Sequence, residues 1–236
     1  MTLIDLITAQ SARLKSAGVS FGHGTTNAFD EAAWLVLWAL GMPLDALEAK
    51  ARIELPADDQ AKAEALVTRR IETRRPAAYL THEAWLQNVP FYVDERTIVP
   101  RSFIAELLAD GEGTGILDAW LSDTTHRVLD LCTGNGSLAV IAAMAYPEVV
   151  VDAADISDDA LALAGGADGM DLVRTILRDA ARHMTVDAVL VLEIGNERAH
   201  FEHAFRRLEV AWLETSAGDD QVLLVTREAL STYRWT

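Results

Sequence analysis

The residues best placed to do chemistry lie in one stretch, LDLCTGNGSLA at 129–139, followed by an aspartate at 155. An apolar run ends in a turn that carries Gly134 and Gly136, and a helix-forming segment follows with the small residue Ala139 on its first turn. That order suits a strand, a tight glycine turn and a helix, with the backbone open to close approach by a nucleoside-containing ligand. Asp155 closes the next apolar run about 20 residues on, where a carboxylate can hold a ribose diol. Asp130 stands just ahead of the turn. A carboxylate there repels a pyrophosphate and welcomes the ammonium and sulfonium of S-adenosylmethionine, so that cofactor is expected in preference to a dinucleotide. The plainer alternative is that Asp130 caps its own turn and Asp155 faces solvent. Asp130, Thr133, Gly134, Gly136 and Asp155 form the expected cofactor set.

Other reactive residue types read more simply. Cys132 follows what reads as a buried strand and is expected to be a small core residue, not a nucleophile. One cysteine also excludes an internal disulfide framework. His200 and His203 flank Glu202 on a helical stretch, but further zinc ligands at suitable spacing are missing, so a solvated face is expected and no metal site. Trp34 and Trp38, one turn apart, suggest core. His23 lies in a Gly/Thr-rich loop that suits capping or packing. Arg74 and Arg75 suit a helix end or a substrate contact, Arg101 an ordinary ion pair, and Glu193 either a structural role or the cofactor edge.

The elements that must position these residues fall into three parts. Residues 1–75 read as a helical domain: Leu3, Ile4, Leu6 and Ile7 recur at helical spacing, Asn27 precedes an acidic first turn, and a third helix follows Pro56 to the basic TRRIETRR run. Residues 76–101 change to short aromatic and alternating runs around Asn88 and Pro90, which suits a β-hairpin bridge. Residues 102–236 alternate strands and helices, with strands at 127–132, 149–155, 188–194, 210–214 and 221–226. That predicts an α/β fold with a mainly parallel sheet.

Composition sets outer bounds. The chain has 236 residues, half of them hydrophobic, enough for a sizeable core. No apolar run reaches the roughly 20 residues of a membrane span, and the first residues lack the order of a signal peptide, so a cytoplasmic location is expected. A net charge of −16 disfavours a phosphate-tracking nucleic-acid site and would attract a basic partner.

DLCTGNG, the DIS after the second strand, VPRSFIAEL ahead of the α/β domain and LEIGNE on a late strand together resemble the HemK/PrmB family of protein-(glutamine-N5) methyltransferases. FGHGTTNAFDEA, RRPAAYLTHEAWLQNVPFYVDERTIVPRS and WLETSAGDDQVLLVT are similar to its PrmB-type branch, which modifies ribosomal protein L three. The resemblance implies a substrate-recognising helical domain, a hairpin linker and a Rossmann-like class I methyltransferase domain using S-adenosyl-L-methionine. It also implies that Arg101 and Glu106 lie near an interdomain cleft and that His23 has a substrate role. Gly165, Gly166, Asp168 and Gly169 resemble a family loop that follows the catalytic strand.

One departure stands out. The family's Asn-Pro-Pro-Tyr motif should end the fourth strand, yet the six prolines here, at 43, 56, 76, 90, 100 and 147, include no Pro-Pro pair. The text runs from DDALALA straight into GGADG. This implies a sheet reduced by its third and fourth strands, an internal deletion near 160–165, and a remaining order 2-1-5-7-6. Catalytic residues are therefore unassigned. An amide nitrogen is a poor nucleophile and needs its protons held and its position fixed, so loss of the motif implies weaker cofactor binding and loss of glutamine methylation. The alternative function is a binding module without turnover.

Overall fold

The structure is a computed structural model that describes residues 1–22, 24–108, 115–121, 124–155 and 170–235. His23, all of DDALALA, and Gly165, Gly166, Asp168 and Gly169 lie outside the described residues. The chain divides into two units, Met1–Arg101 and Ser102–Thr236.

The first unit is built on helices α1 (Leu3–Ser16), α2 (Ala28–Ala39), α3 (Ala46–Lys50), α4 (Ala57–Thr73) and α5 (Ala77–Thr81). Their starts are chemically marked. The Thr2 hydroxyl accepts from the Asp5 amide, while the Asp5 carboxylate accepts from the Thr2 amide, a capping box on α1. Asn27 Oδ1 accepts from the amides of Phe29 and Asp30, both at 3.0 Å, and starts α2. Leu3, Leu6, Ile7 and Leu14 of α1 and Leu35, Val36 and Leu37 of α2 are almost wholly buried together. Trp34 joins that core at 6 % exposure, but Trp38 is 39 % exposed, because α2 is close to its end there and its outer side opens to solvent.

Within this apolar core sits one ion pair. Arg70 of α4 donates from Nε to Glu31 Oε1 at 2.8 Å, and both side chains are at least 97 % buried. Arg70 also donates to the Ser20 carbonyl at 2.8 Å, and Thr25 Oγ1 donates to the other Glu31 oxygen. The pair therefore ties α2, α4 and the loop ahead of α2 to one another.

A hairpin follows: β1 (Glu83–Leu86) and β2 (Val89–Tyr92), antiparallel, with Leu86 opposite Val89. Gln87 and Asn88 both take positive φ (48° and 61°), as a two-residue type I′ turn requires. Ala84 and Leu86 turn inward while Trp85 and Tyr92 turn outward. Arg75 pairs with Glu95 at 2.9 Å beyond the hairpin.

The second unit contains α6 (Ile104–Leu107), a short 3₁₀ turn (Ile116–Ala119), β3 (Arg127–Leu131), α7 (Ser137–Ala145), β4 (Val150–Ala154), α8 (Asp171–Ala180), β5 (Val189–Glu193), α9 (Arg198–Ala204), β6 (Ala211–Thr215), β7 (Gly218–Thr226) and α10 (Arg227–Thr232). The fold is thus mixed α/β with an N-terminal helical part and small sheets. β3 and β4 pair in parallel, while β5, β7 and β6 form a separate sheet in that order, with both pairings antiparallel.

This corrects the expectation of a mainly parallel sheet. Only Ser216 and Ala217 separate β6 from β7, and so short a link can join only antiparallel strands. Among the described residues β3 pairs with β4 alone. Its side chains are consequently not buried as expected: Leu129 is 58 % and Leu131 48 % exposed.

Removing one partner of the buried pair should be costly, because the remaining charge is left without compensation. Glu31→Ala is expected to lower unfolding free energy by about 3–5 kcal/mol, measured by urea denaturation of the intact chain.

Candidate functional site

The parallel pairing of β3 with β4 continues one step past the strand ends, where the Thr133 amide donates to the Ala154 carbonyl at 3.1 Å. The backbone then turns sharply. Gly134 and Gly136 have φ of 59° and 80°, and the Gly136 amide donates back to the Thr133 carbonyl at 2.9 Å. Among the described residues, a Cβ built on either glycine would meet no atom within 4 Å. The glycines therefore serve the left-handed backbone. α7 starts at once, with the Ser137 amide donating to Asn135 Oδ1 at 3.3 Å. Ser137, Ala139, Ile141 and Ala142 are the buried side of α7.

Two carboxylates converge on this turn. Asp155, the residue after β4, accepts the Gly134 amide on Oδ2 at 2.7 Å, although its side chain is exposed. Asp130, half-buried on β3, accepts the Thr133 hydroxyl at 2.5 Å. Burial pushes the Asp130 carboxyl above its ordinary range; the Thr133 hydroxyl and the Ala139 amide pull it back, and the Asp155 charge raises it further. The structure thus brings Asp130, Thr133, Gly134, Gly136 and Asp155 together at one loop. Asp130 does cap its own turn, the plainer of its two roles.

Cys132 departs from expectation. It is exposed, with φ of 64°, because β3 offers it no covering layer. Partial burial raises its thiol above the usual value, and the charges of Asp155 and Asp130 push in the same direction, which disfavours a thiolate nucleophile.

Two acids hold the segment after Arg101. Glu193, the last residue of β5, accepts the Ser102 hydroxyl at 3.0 Å and the Phe103 amide at 2.9 Å. Glu106 on α6 accepts both the amide and the hydroxyl of Ser216, each at 2.8 Å, and so clamps the turn between β6 and β7. Neither role was legible from spacing, since the partners lie about 90 and 110 residues apart. Only the position of Glu193 at a strand end hinted at a capping function. Arg101 ends the first unit and makes no hydrogen bond or ion pair among the described residues.

The two histidines of α9 stay on an exposed face, His200 bonded to Glu197 and His203 beside Arg206. Among the described residues, no group of three or more metal-binding side chains gathers, and no helix is long and apolar enough to cross a membrane.

Comparison with known proteins matches the first unit and the whole chain separately. Residues 5–81 match the model of the PrmC N-terminal domain. The ribosomal protein uL3 glutamine methyltransferase of Bordetella pertussis is 41 % identical, over 98 % of this chain and 97 % of its own length. The chain belongs to the uL3 glutamine methyltransferase family. The enzymes of the same name from Burkholderia pseudomallei and Neisseria meningitidis serogroup B are 41 % and 38 % identical, over 95 % and 97 % of this chain. The alignment with the Bordetella family member runs over 293 positions and takes in 98 % of the 236 residues here, so about 60 positions of that relative have no counterpart in this chain.

Glu193→Ala should loosen the chain entry into α6. The expected loss is about 1–2 kcal/mol in unfolding free energy, together with faster hydrogen exchange at the Phe103 amide; unchanged exchange there would contradict the anchoring role.

Proposed function

We propose that this chain is a protein-glutamine methyltransferase acting on ribosomal protein uL3, with S-adenosyl-L-methionine as methyl donor. One observation carries the cofactor assignment: two carboxylates, Asp130 and Asp155, address a single glycine turn at the end of a parallel strand pair. Two carboxylates at one turn favour a cationic ligand and oppose a pyrophosphate. Asp155 would hold the ribose hydroxyls, exchanging its bond to the Gly134 amide for them. Asp130 and the turn amides would hold the amino-acid end, and Gly134 and Gly136 would keep the approach clear. When bound, the cofactor supplies both the methyl group and its own leaving group, so the protein's task is to place the glutamine amide in line with it.

The domain scheme belongs to the same reading. Residues 1–75 serve as the substrate-recognising helical domain, 76–101 as the hairpin linker and 102–236 as a reduced Rossmann-like methyltransferase domain. Glu106 and Glu193 act as anchors of that domain. They are not amide-orienting groups, since their carboxylates are engaged by Ser216 and by Ser102 with Phe103.

A second reading, a binding module without turnover, has its own support. The sequence has no Pro-Pro pair to carry the family's amide-holding motif, and the Bordetella relative has about 60 aligned positions that this chain lacks. Incubating the chain with uL3 and cofactor separates the two. Gain of one methyl mass on a uL3 glutamine establishes the enzyme; a stable complex with cofactor bound and uL3 mass unchanged establishes the module.

The cofactor site has its own pH signature. The raised Asp130 carboxyl is ionised above its pKa, and the ionised form attracts the cationic ligand. S-adenosylmethionine affinity should therefore fall on acidification, starting above the pH range of an ordinary aspartate. Asp130→Asn should weaken binding about tenfold, as loss of one charge-assisted contact does, and should flatten that pH dependence; calorimetric titration across pH checks both.

A further inference from the structure

The first unit contains a cavity of about 390 Å³, lined by Gly18, Ser20, Arg70, Arg74 and Pro76. Its lining is small on one side and cationic on the other. Arg70 is held rigidly: Nε bonds Glu31 and one terminal nitrogen bonds the Ser20 carbonyl. Its remaining terminal nitrogen makes no hydrogen bond among the described residues. It is not occluded either, for the one occluded side-chain polar atom without a partner among them is Trp34 Nε1. That nitrogen therefore opens onto the cavity that Arg70 lines.

Arg74 lines the same cavity. It ends α4 in the left-handed conformation, with φ of 60°, its amide returning to the Arg70 carbonyl at 3.1 Å. This return brings the two arginines to one rim. Arg75, its neighbour, is paired with Glu95, whereas Arg74 has no ion pair among the described residues. Glu31 balances the charge of Arg70, so the cavity keeps one uncompensated positive charge on a chain whose net charge is −16. Ser20, exposed, lines the cavity as well.

From this arrangement we infer that the cavity is a carboxylate-binding subsite, which grips an acidic side chain or a chain terminus of the protein substrate between Arg70 and Arg74. A planar carboxylate can accept from a guanidinium in pairs, and the pre-held Arg70 fork loses little freedom on binding. Nucleic-acid phosphate is the poorer fit: tracking a phosphate backbone needs an array of cations, and the overall charge opposes it. The identity of the carrier as uL3 rests on the function proposed above; the carboxylate chemistry does not.

The test uses the intact chain and two titrations. Glutarate, followed through the arginine Nε–Hε NMR signals, should shift Arg70 and Arg74 saturably. Absence of a saturable shift at either overturns the subsite. Arg74→Gly then separates binding from helix-end stabilisation, because glycine is the usual residue at this left-handed position. The variant should melt at the same or a higher temperature, bind S-adenosylmethionine as before, and bind uL3 about tenfold more weakly or worse, the scale of one lost charge-assisted contact. Unchanged uL3 affinity in the variant, or RNA oligonucleotide binding that the variant abolishes, overturns the proposal. If the parent chain fails to bind uL3 while glutarate still shifts both arginines, the uL3 assignment falls and the carboxylate subsite stands.

Discussion

The second unit depends on a single short contact, the Gly134 amide on the Asp155 carboxylate across the ends of β3 and β4. A parallel strand pair leaves its carboxyl ends side by side, and there the chain must turn into a helix whose first amides lack partners. Glycine at 134 and 136 permits the turn, and the acid at 155 holds it from the neighbouring strand. Asp130 and Thr133 close the arrangement from below. The result is a small backbone cup flanked by two carboxylates. Most of the functional case follows from that electrostatic asymmetry, because it selects a cation over a phosphate.

The first unit obeys a different constraint. Its core is aliphatic, yet Arg70 and Glu31 are buried within it. Such a pair gains little over apolar packing, but it fixes geometry once formed. Here it sets the distance between α2 and α4, pins the Ser20 carbonyl and aims a guanidinium at the cavity. Register and reach in this unit thus come from one polar contact within an otherwise greasy bundle.

The legibility of all this in the sequence varied with the range of the interactions. The capped helix start at Asn27, the hairpin turn at Asn88 and the glycine turn at 134–136 are local, and residue types announce them. The carboxylate at 155 was legible too, because its spacing from the turn reflects one strand–helix–strand unit. The exposure of Leu129, Leu131 and Cys132 was not, since apolar strand residues look the same whether or not a neighbouring strand covers them. Strand direction in the last sheet was misjudged for a similar reason: alternation of elements suggested parallel pairing, whereas the two-residue link at Ser216 and Ala217 dictated the opposite. The anchors Glu193 and Glu106 stayed hidden because their partners are remote in the chain, and the Arg70–Glu31 pair, 39 residues apart, hid among ordinary surface-type charges.

The central claim is that the turn after β3 seats the cofactor. Amide NMR spectra of the intact chain during titration with S-adenosylmethionine address it most directly. Saturable shifts are expected to concentrate at the amides of Thr133, Gly134 and Gly136, as Asp155 leaves Gly134 for the ligand. Saturable binding that leaves those three amides unmoved would contradict it.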